Sequence, residues 1–306
     1  MSEAIQFVKI SGSGNDFLCI DNRDGRYDPL LADPARVGRL ARVICRRGIS
    51  VGADGVIFAC ANEVEGFADL SARHFEPDGS EAELCGNGVA CFTRWALDNR
   101  WVADSEVKIL TTAGVVRGKR IDKDYIRVCI PLPESMQQGL EVDTKGRRWD
   151  CDFAITGVPH LATYVDDLED LDIAHWGPLL RYHPRFAPRG VNANFVKVLG
   201  VGKLAVRSWE FGVEGETLAC GTGSATAAIM AARRFNWPRE FLSGDKSVEV
   251  LARGGDTLRV YFTLQSGGEV SDLCLETFVR FVFTGTLHED LVAEAMPAEA
   301  AARGQA

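Results

Sequence analysis

The stretch Leu84–Ala90 (LCGNGVA) has a counterpart in the second half of the chain, Ala219–Ala225 (ACGTGSA). An acidic polar segment precedes each stretch, and a helix-like run rich in small or apolar residues follows it. A cysteine that opens a helix faces unpaired backbone N–H groups and the positive end of the helix dipole, and both favour the thiolate. The repeat therefore predicts two similar halves, each of which places a thiol at a helix N-terminus.

Length and composition predict an ordinary globular chain with one large or two medium domains, since 46% of its 306 residues are hydrophobic and 25% are charged. The net charge of −9 disfavours a nucleic-acid partner. No apolar run is long enough to span a bilayer, so no membrane partner is expected. The start, Met1–Gln6, lacks the basic and apolar regions of a secretory signal. We therefore expect a cytoplasmic location.

The nine cysteines are an odd number and include no Cys-x-x-Cys pair, which predicts free thiols in a reducing compartment and no metal site. Four of them lie in or beside apolar strand-like runs and are expected to fill the core: Cys19, Cys60, Cys129 and Cys274. A disulfide between Cys85 and Cys220 stays open as an oxidised, inactive form.

Short runs rich in β-branched and aromatic residues predict many strands, whereas helical patterns are fewer: Asp33–Cys45, Val89–Asn99 and Ser224–Phe235. Many strands with one long buried helix in each half indicate an α+β chain with two similar domains. We expect an N-terminal half-domain at residues 1–125 and a C-terminal half-domain at 126–275. The C-terminal segment 276–306 is a candidate to return to the first half-domain.

Four further segments combine polar groups with tight turns: Gly12–Phe17, Gly157–His160, Gly190–Phe195 and Trp209–Gly212. Together with the two cysteine turns they resemble the diaminopimelate epimerase family. The resemblance runs from about Phe7 to Gly285, which is nearly the whole chain, and the pair of cysteine turns is specific only in combination.

The resemblance implies two pseudo-symmetric domains, each a barrel-like, mostly antiparallel sheet around a central helix, with the active site in the cleft between them. It also implies an isomerase that inverts the α-carbon of an amino acid without pyridoxal phosphate or any other cofactor. Cys85 and Cys220 would be the catalytic pair, one acting as thiolate base and the other as thiol acid. The family's reaction converts LL- to meso-diaminopimelate in lysine and peptidoglycan biosynthesis.

The resemblance also assigns positions that bind the substrate. Asn15, His160 and Glu210 would contact the reacting amino group or tune the thiols, and Asn192 is retained. Backbone N–H groups at two helix N-termini are suited to a carboxylate, and here they belong to Gly86, Asn87, Gly221 and Thr222.

Three positions depart from the family and are candidates for specificity. The family usually has Asn at Glu76 and Arg at Phe211, and it often has Asn at Val158. These positions help to hold the distal carboxylate and ammonium of diaminopimelate, and loss of the partner of a buried charge costs about 3–5 kcal/mol. We therefore expect a substrate with a neutral, aromatic or cationic side chain. Diaminopimelate remains the substrate if another arginine fills the gap: Arg73, Arg94 or Arg207.

Other interpretations stay open for single features and for the whole chain. A single Cys-Gly-x-Gly is more often a plain turn, His160 alone fits a turn histidine, and Glu210 alone fits a solvated strand residue. A same-fold isomerase that shifts a proton without inverting an amino acid is the main alternative function. A catalytically idle amino-acid-binding protein has no use for two thiols. The expected partner is a small amino acid, and a homodimer is one option for assembly.

Overall fold

A computed structural model describes residues 4–62, 66–82 and 85–296 of the protein. The chain divides into two compact units. The first unit contains the described residues up to Arg120 and those from Val279 onward, and the second runs from Ile121 to Phe278. No helix in the described ranges is both long and apolar enough to cross a membrane.

Among its described residues, the first unit contains six strands and three helices before the chain enters the second unit. The strands are β1 (Gln6–Gly12), β2 (Asn15–Asn22), β3 (Gly55–Ala61), β4 (Leu70–Phe75), β5 (Glu106–Thr111) and β6 (Gly114–Arg120). The helices are α1 (Asp28–Leu31), α2 (Pro34–Ile44) and α3 (Gly86–Asp98).

The second unit contains nine further strands and two α-helices. The strands are β7 (Tyr125–Cys129), β8 (Glu134–Thr144), β9 (Arg147–Thr156), β10 (Val158–Tyr164), β11 (Asn192–Gly200), β12 (Lys203–Glu210), β13 (Gly215–Thr217), β14 (Val248–Ala252) and β15 (Thr257–Leu264). The helices are α4 (Ile173–Arg181) and α5 (Gly221–Arg234). The chain then continues through β16 (Val270–Thr286) and α6 (Glu289–Ala295).

The two units repeat one order of strand pairing. From β1 to β6, successive neighbours in the first unit pair antiparallel, parallel, antiparallel, parallel and antiparallel. The same order runs through β9, β10, β11, β12, β14 and β15 in the second unit. The end of β16 pairs with β1 and its beginning pairs with β7 and β15, antiparallel in each case. The repeat confirms an α+β chain built from two pseudo-symmetric, mostly antiparallel sheets.

One central helix packs against the strands of each unit. Helix α3 contacts β1, β2, β3, β5 and β6, and helix α5 contacts six strands of its own sheet, from β9 to β15. Helix α5 is rich in Ala, Gly, Ser and Thr, and these small side chains let the strands of its sheet pack close to the helix. The ten residues Gly223–Ala232 are all buried. Helix α2 begins where the sequence predicts. The Asp33 side chain accepts hydrogen bonds from the N–H groups of Ala35 and Arg36, and Pro34 is the first helical residue.

One prediction about the cysteines is wrong. Cys129 and Cys274 are not free core residues, because a disulfide joins them with a Cα–Cα separation of 3.9 Å. They lie directly opposite each other in the β7–β16 pair, a register that a separation of 145 residues hides in the sequence. Cys19 is fully buried, as expected of a core thiol.

Candidate active site

Cys85 is the N-cap residue of α3. Its backbone is extended, with φ −129°, and its thiol accepts a hydrogen bond from the N–H of Gly88 at 3.4 Å. The sequence folds this way because a cap residue with a side-chain acceptor satisfies one of the open N–H groups of the first turn. The thiol is half-buried.

A chain of polar side chains begins beside Cys85. Asn87, the second residue of α3, donates from Nδ2 to Asn15 Oδ1 at 2.7 Å. Asn15 in turn donates from its own Nδ2 to Asp54 Oδ2 at 3.3 Å, and Asp54 also pairs with Arg47 at 2.7 Å. Since a carboxylate only accepts, Asp54 fixes the orientation of the Asn15 amide. Asn15 and Asn87, both predicted site residues, are therefore brought together next to Cys85.

Glu76 and His74 lie close together in the first unit, at the end of strand β4. Glu76 follows the last residue of β4 and is half-buried. His74 lies within β4, and burial lowers its pKa to about 4, which favours the neutral imidazole as long as Cys85 is a thiol. Its Nε2 lies 3.9 Å from Glu76 Oε1, beyond hydrogen-bond reach, and is buried without a hydrogen-bond partner among the described residues.

Cys220 repeats the geometry of Cys85 in the second unit. It is the N-cap residue of α5 with φ −120°, and its thiol accepts from the N–H of Gly223 at 3.4 Å. Thr222 Oγ1 lies 3.8 Å from the sulfur. The half-buried backbone of Gly221 and Thr222 forms the first turn of α5, as Gly86 and Asn87 form that of α3.

The surroundings of Cys220 favour its thiol form, one of the two forms expected of the cysteine pair, although its place at a helix N-terminus favours the thiolate. Burial raises the pKa of Cys220 well above its usual range, and the carboxylate of Glu210 raises it further. The N–H of Gly223 and the hydroxyl of Thr222 lower it, but by less. Glu210 ends β12 and is held by a hydrogen bond from the Thr217 hydroxyl. The predicted pair Glu210 and Cys220 is therefore close in space.

His160 lies behind the same helix terminus in a fully buried polar cluster. Its Nδ1 is 3.3 Å from Nδ2 of Asn194, whose Oδ1 accepts from the Ser208 hydroxyl at 2.8 Å. Burial lowers the pKa of His160 to about 3, so the ring is neutral. Its Nε2 is buried and has no hydrogen-bond partner in the described part of the chain.

Asn192, Val158 and Phe211 lie at or next to the ends of strands in the second unit. Asn192 Oδ1 accepts from the N–H of Phe211 at 2.6 Å and so fixes the start of the loop after β12. The Phe211 ring is 46% exposed, and the guanidinium of Arg181 covers it at 4.4 Å from the ring centroid. Val158 begins β10 and is half-buried.

The three arginines considered as replacements for the missing one are engaged elsewhere. Arg73 pairs with Glu81 at 2.7 Å, and Arg207 pairs with Glu216 at 2.6 Å, two matching ion pairs in the two units. Arg94 is held by the carbonyl of Val279 and by Asp98. Arg189 is instead the exposed arginine beside Phe211, with its guanidinium 5.9 Å from the ring centroid.

Four residues of these clusters were missed in the sequence: Asp54, His74, Asn194 and Ser208. Asn194 had a signal, since it lies two residues after Asn192 on the same strand and so points to the same face. The others became visible only through strand register. Among the described residues, no group of three or more His, Cys, Asp or Glu side chains is arranged to hold a metal ion.

Comparison with known proteins places this arrangement in a family. The sequence profile described as Diaminopimelate epimerase matches residues 7–127 and 153–261. The Diaminopimelate epimerase of Hydrogenobaculum sp. (strain Y04AAS1) is 37% identical over 258 residues, covering 83% of this chain and 90% of the relative. The Diaminopimelate epimerase of Archaeoglobus fulgidus is 38% identical over 262 residues, with 82% and 87% covered.

A solved structure shares the fold at low sequence identity. The Bacillus anthracis phenazine biosynthesis protein of the PhzF family superposes with a TM-score of 0.70 at 14% identity, covering 94% of this chain and 99% of the other. The profile match and the identity over most of the chain, together with the repeated cysteine-capped helices, lead to one assignment. The chain belongs to the diaminopimelate epimerase family and is an isomerase.

Proposed function

We propose that the protein inverts the configuration at the α-carbon of an amino acid by proton transfer to and from two thiols. The observation that carries this proposal is the matched placement of Cys85 and Cys220. Each caps the central helix of its unit, and each accepts the N–H of the residue three positions on, at 3.4 Å. Inversion requires one group to remove a proton from one face of the carbon while another delivers a proton to the opposite face.

The reaction needs a base and a means of stabilising negative charge. One cysteine, as thiolate, takes the α-proton, and the electron pair of the broken C–H bond delocalises into the substrate carboxylate. Amide groups at the starts of α3 and α5 are suited to bind that carboxylate, since they are fixed donors at helix N-termini. The other cysteine then gives its S–H proton to the carbon, and the thiol and thiolate roles are exchanged.

The distal end of the site favours a substrate whose side chain is neutral, aromatic or cationic. Phe211 offers a ring where relatives carry a guanidinium, Val158 offers an apolar group, and Glu76 adds a carboxylate. Of the three candidate replacements, Arg73 and Arg207 are held by Glu81 and Glu216. None of the side chains of Phe211, Val158 and Glu76 is therefore a partner for a carboxylate on the substrate side chain.

Arg189 supports a second candidate substrate, diaminopimelate itself. Its exposed guanidinium lies near the Phe211 ring, where it is suited to receive a distal carboxylate. The two candidates differ in one requirement: only diaminopimelate needs Arg189. Exchange of Arg189 for Ala should thus abolish turnover of diaminopimelate and leave turnover of lysine-, ornithine-, arginine- or histidine-like substrates intact.

The deciding experiment incubates the purified, reduced protein with single L-amino acids and with LL-diaminopimelate in deuterium oxide. Chiral chromatography and mass spectrometry should show inverted product carrying one deuterium at the α-carbon. Cys85→Ala and Cys220→Ala should each abolish inversion, whereas Cys151→Ala, a change at a buried thiol outside the site, should not. Full activity of either site variant would rule out the two-thiol mechanism.

The redox state of Cys85 and Cys220 limits the cellular compartment in which the protein can work. Both must stay reduced to exchange protons, and we propose that the protein works in a reducing compartment such as the cytoplasm. Mass spectrometry of alkylated thiols from freshly lysed cells should show Cys85 and Cys220 reduced. Recovery of both in oxidised form would exclude this setting.

A further inference from the structure

The registers of the two sheets identify which residues take equivalent places behind the two thiols. In the first unit, Ile57 of β3 pairs with His74 of β4. In the second unit, Asn194 of β11 pairs with Ser208 of β12. The strand pairs occupy the same place in the repeated order of pairing. His74 is therefore the counterpart of Ser208, and it lies in the layer against which the helix terminus packs.

Contacts at the helix termini show what lies directly behind each sulfur. A Cβ added at Gly223 would meet Asn194 Oδ1 at 2.2 Å and Cys220 Sγ at 3.0 Å. A Cβ added at the matching Gly88 would instead meet Ile57 Cδ1 at 3.3 Å and the Cys85 Cβ at 3.5 Å. The place that holds an amide behind Cys220 therefore holds an aliphatic group behind Cys85.

His74 supplies the polar group of this layer in the first unit. Together with Cys85 it lines a small cavity of about 20 Å³, walled by Ala72, Ala82 and the first turns of α3. A volume of this size has room for about one water molecule. The imidazole packs edge-on against Phe17, with the ring centroids 5.4 Å apart. The thiol and the imidazole thus line one small, largely apolar cavity.

We infer that His74 is a positioning residue that accepts the thiol proton of Cys85 and thereby makes Cys85 the base of the resting enzyme. Cys220 is then the acid, since burial and Glu210 keep it a thiol. The inference rests on the proposed function for the use of the thiols, but the acid–base relation of His74 and Cys85 can be measured without turnover.

The protons balance through one cycle. In the resting enzyme the thiol proton of Cys85 is already on His74 and stays there throughout. The Cys85 thiolate takes the α-proton of the substrate, and the electron pair of the C–H bond passes to the substrate carboxylate. Cys220 gives its proton to the opposite face and becomes thiolate. After the product leaves, Cys220 takes a proton from water, and Cys85 releases the proton taken from the substrate to water. The cycle needs no oxidant, reductant or cofactor.

The groups around His74 are compatible with this role. On its own strand segment Glu76 Oε1 is 3.9 Å from Nε2, and Glu81, opposite Phe75 in a β-bridge, attracts a proton to the ring. The residues of β2, β3 and α3 that pack nearby are apolar or glycine: Phe17, Gly55, Ile57, Gly88, Val89 and Phe92. Burial holds the ring neutral while Cys85 is a thiol, and a thiolate in the same cavity would offset that cost.

The test measures alkylation of Cys85 by iodoacetamide against pH in the reduced wild-type protein, in His74→Phe and in His74→Gln. Peptide mass spectrometry follows each cysteine separately, and thermal unfolding verifies that the variants fold. Both variants should raise the apparent pKa of Cys85 by about one unit or more, which is about tenfold less thiolate at neutral pH. Because Gln keeps polarity but cannot titrate, a purely structural role would spare that variant.

The matched control is Ser208→Ala, at the equivalent place behind Cys220, which should leave the Cys85 profile unchanged. An identical Cys85 profile in the wild type and in both His74 variants would overturn the inference. That result leaves the proposed function intact, because inversion could proceed with a thiolate stabilised by the helix terminus alone. Conversely, a clear rise in the apparent pKa of Cys85 in both His74 variants, with no inversion of any amino acid by the wild type, would contradict the proposed function and support the inference.

Discussion

Cys129 and Cys274 face each other across β7 and β16, and a disulfide joins them. The bridge spans a separation of 145 residues. It therefore closes a loop that contains nearly all of the second unit, whose limits are Ile121 and Phe278. A link between distant chain positions reduces the entropy of the unfolded chain more than one between near neighbours.

Removal of this disulfide should lower stability without removing the catalytic thiols. We expect Cys129→Ser with Cys274→Ser to reduce the free energy of unfolding by about 2–5 kcal/mol. Urea denaturation of the double variant and of the wild type, both without reductant, measures the difference. The control is the wild type in strong reductant, which should fall to the level of the variant. Equal midpoints throughout would contradict a stabilising bridge.

Exchange of Glu210 for Gln should lower the pKa of Cys220. The carboxylate disfavours a nearby thiolate, so its loss should shift the pKa of Cys220 downward. Alkylation of Cys220 should then begin at lower pH, while that of Cys85 stays as it was. An upward shift of the Cys220 profile would refute this reading of Glu210.

Asp54 should matter for catalysis although it does not contact either thiol. Asp54→Asn replaces a pure acceptor by a group that can also donate, so the Asn15 amide is free to turn and its bond to Asn87 is no longer enforced. We expect kcat/KM to fall about tenfold or more, which corresponds to about 1.4 kcal/mol of transition-state stabilisation. Steady-state kinetics on the substrate found by the panel measure it. Lys246→Gln, which breaks an exposed ion pair with Glu240, is the control and should change nothing.

A buried histidine predicts loss of stability in acid. His160 has a pKa lowered to about 3, whereas unfolded histidine titrates near 6.5. The unfolded chain therefore binds more protons than the folded one between those values, and stability falls as pH drops through that window. The ring contributes a slope of up to about 1.4 kcal/mol per pH unit. His160→Asn should flatten the slope between pH 6.5 and 4 in urea titrations; an unchanged slope would contradict burial of a neutral ring.

Asp152 should be one of the costliest single positions in the second unit. The carboxylate is fully buried, accepts from the Tyr164 hydroxyl at 2.9 Å and from the backbone of Gly139, and pairs with Arg234 at 3.0 Å. Asp152→Ala removes one of the two carboxylates that pair with Arg234, and should lower the free energy of unfolding by about 3–5 kcal/mol. Urea unfolding measures the loss, and Asp150→Ala, at the exposed end of the same arginine, should cost much less. Similar losses for both would argue against burial as the cause.

The sequence predicted the parts of this fold that follow from local periodicity. Helices α2, α3 and α5 and the apolar strands appeared where their patterns indicated, and both cysteine turns cap helices. Strands β4 and β12 were not recognised, because polar residues interrupt their apolar pattern: Arg73 and His74 in one, Arg207 and Ser208 in the other. Those polar residues face partners supplied by neighbouring strands, and only the three-dimensional register reveals them.

The same limit applies to the site. The two cysteine turns, which contain Cys85, Asn87 and Cys220, are recognisable from local sequence, whereas Asn15 was assigned through the family resemblance. Their roles in the site stay predictions. Asp54 and the disulfide partners could not be found in the sequence, since each acquires its role from a residue on another strand. Asn194 shares a strand face with Asn192, but its contact with His160 depends on the pairing of β10 with β11. The sequence alone does not indicate which protonation state Cys220 takes. Its helix terminus favours the thiolate, whereas burial beside Glu210 favours the thiol and outweighs that effect.

The shared order of strand pairing is the pattern that duplication and fusion of an ancestral gene would leave. Two identical copies of such an ancestor would have treated both sulfur atoms alike and could not have favoured opposite protonation for each. Because both halves lie in one polypeptide, equivalent positions can carry different side chains, and β4 has the imidazole of His74 where β12 has the hydroxyl of Ser208. A symmetric assembly of two identical copies could not make that distinction.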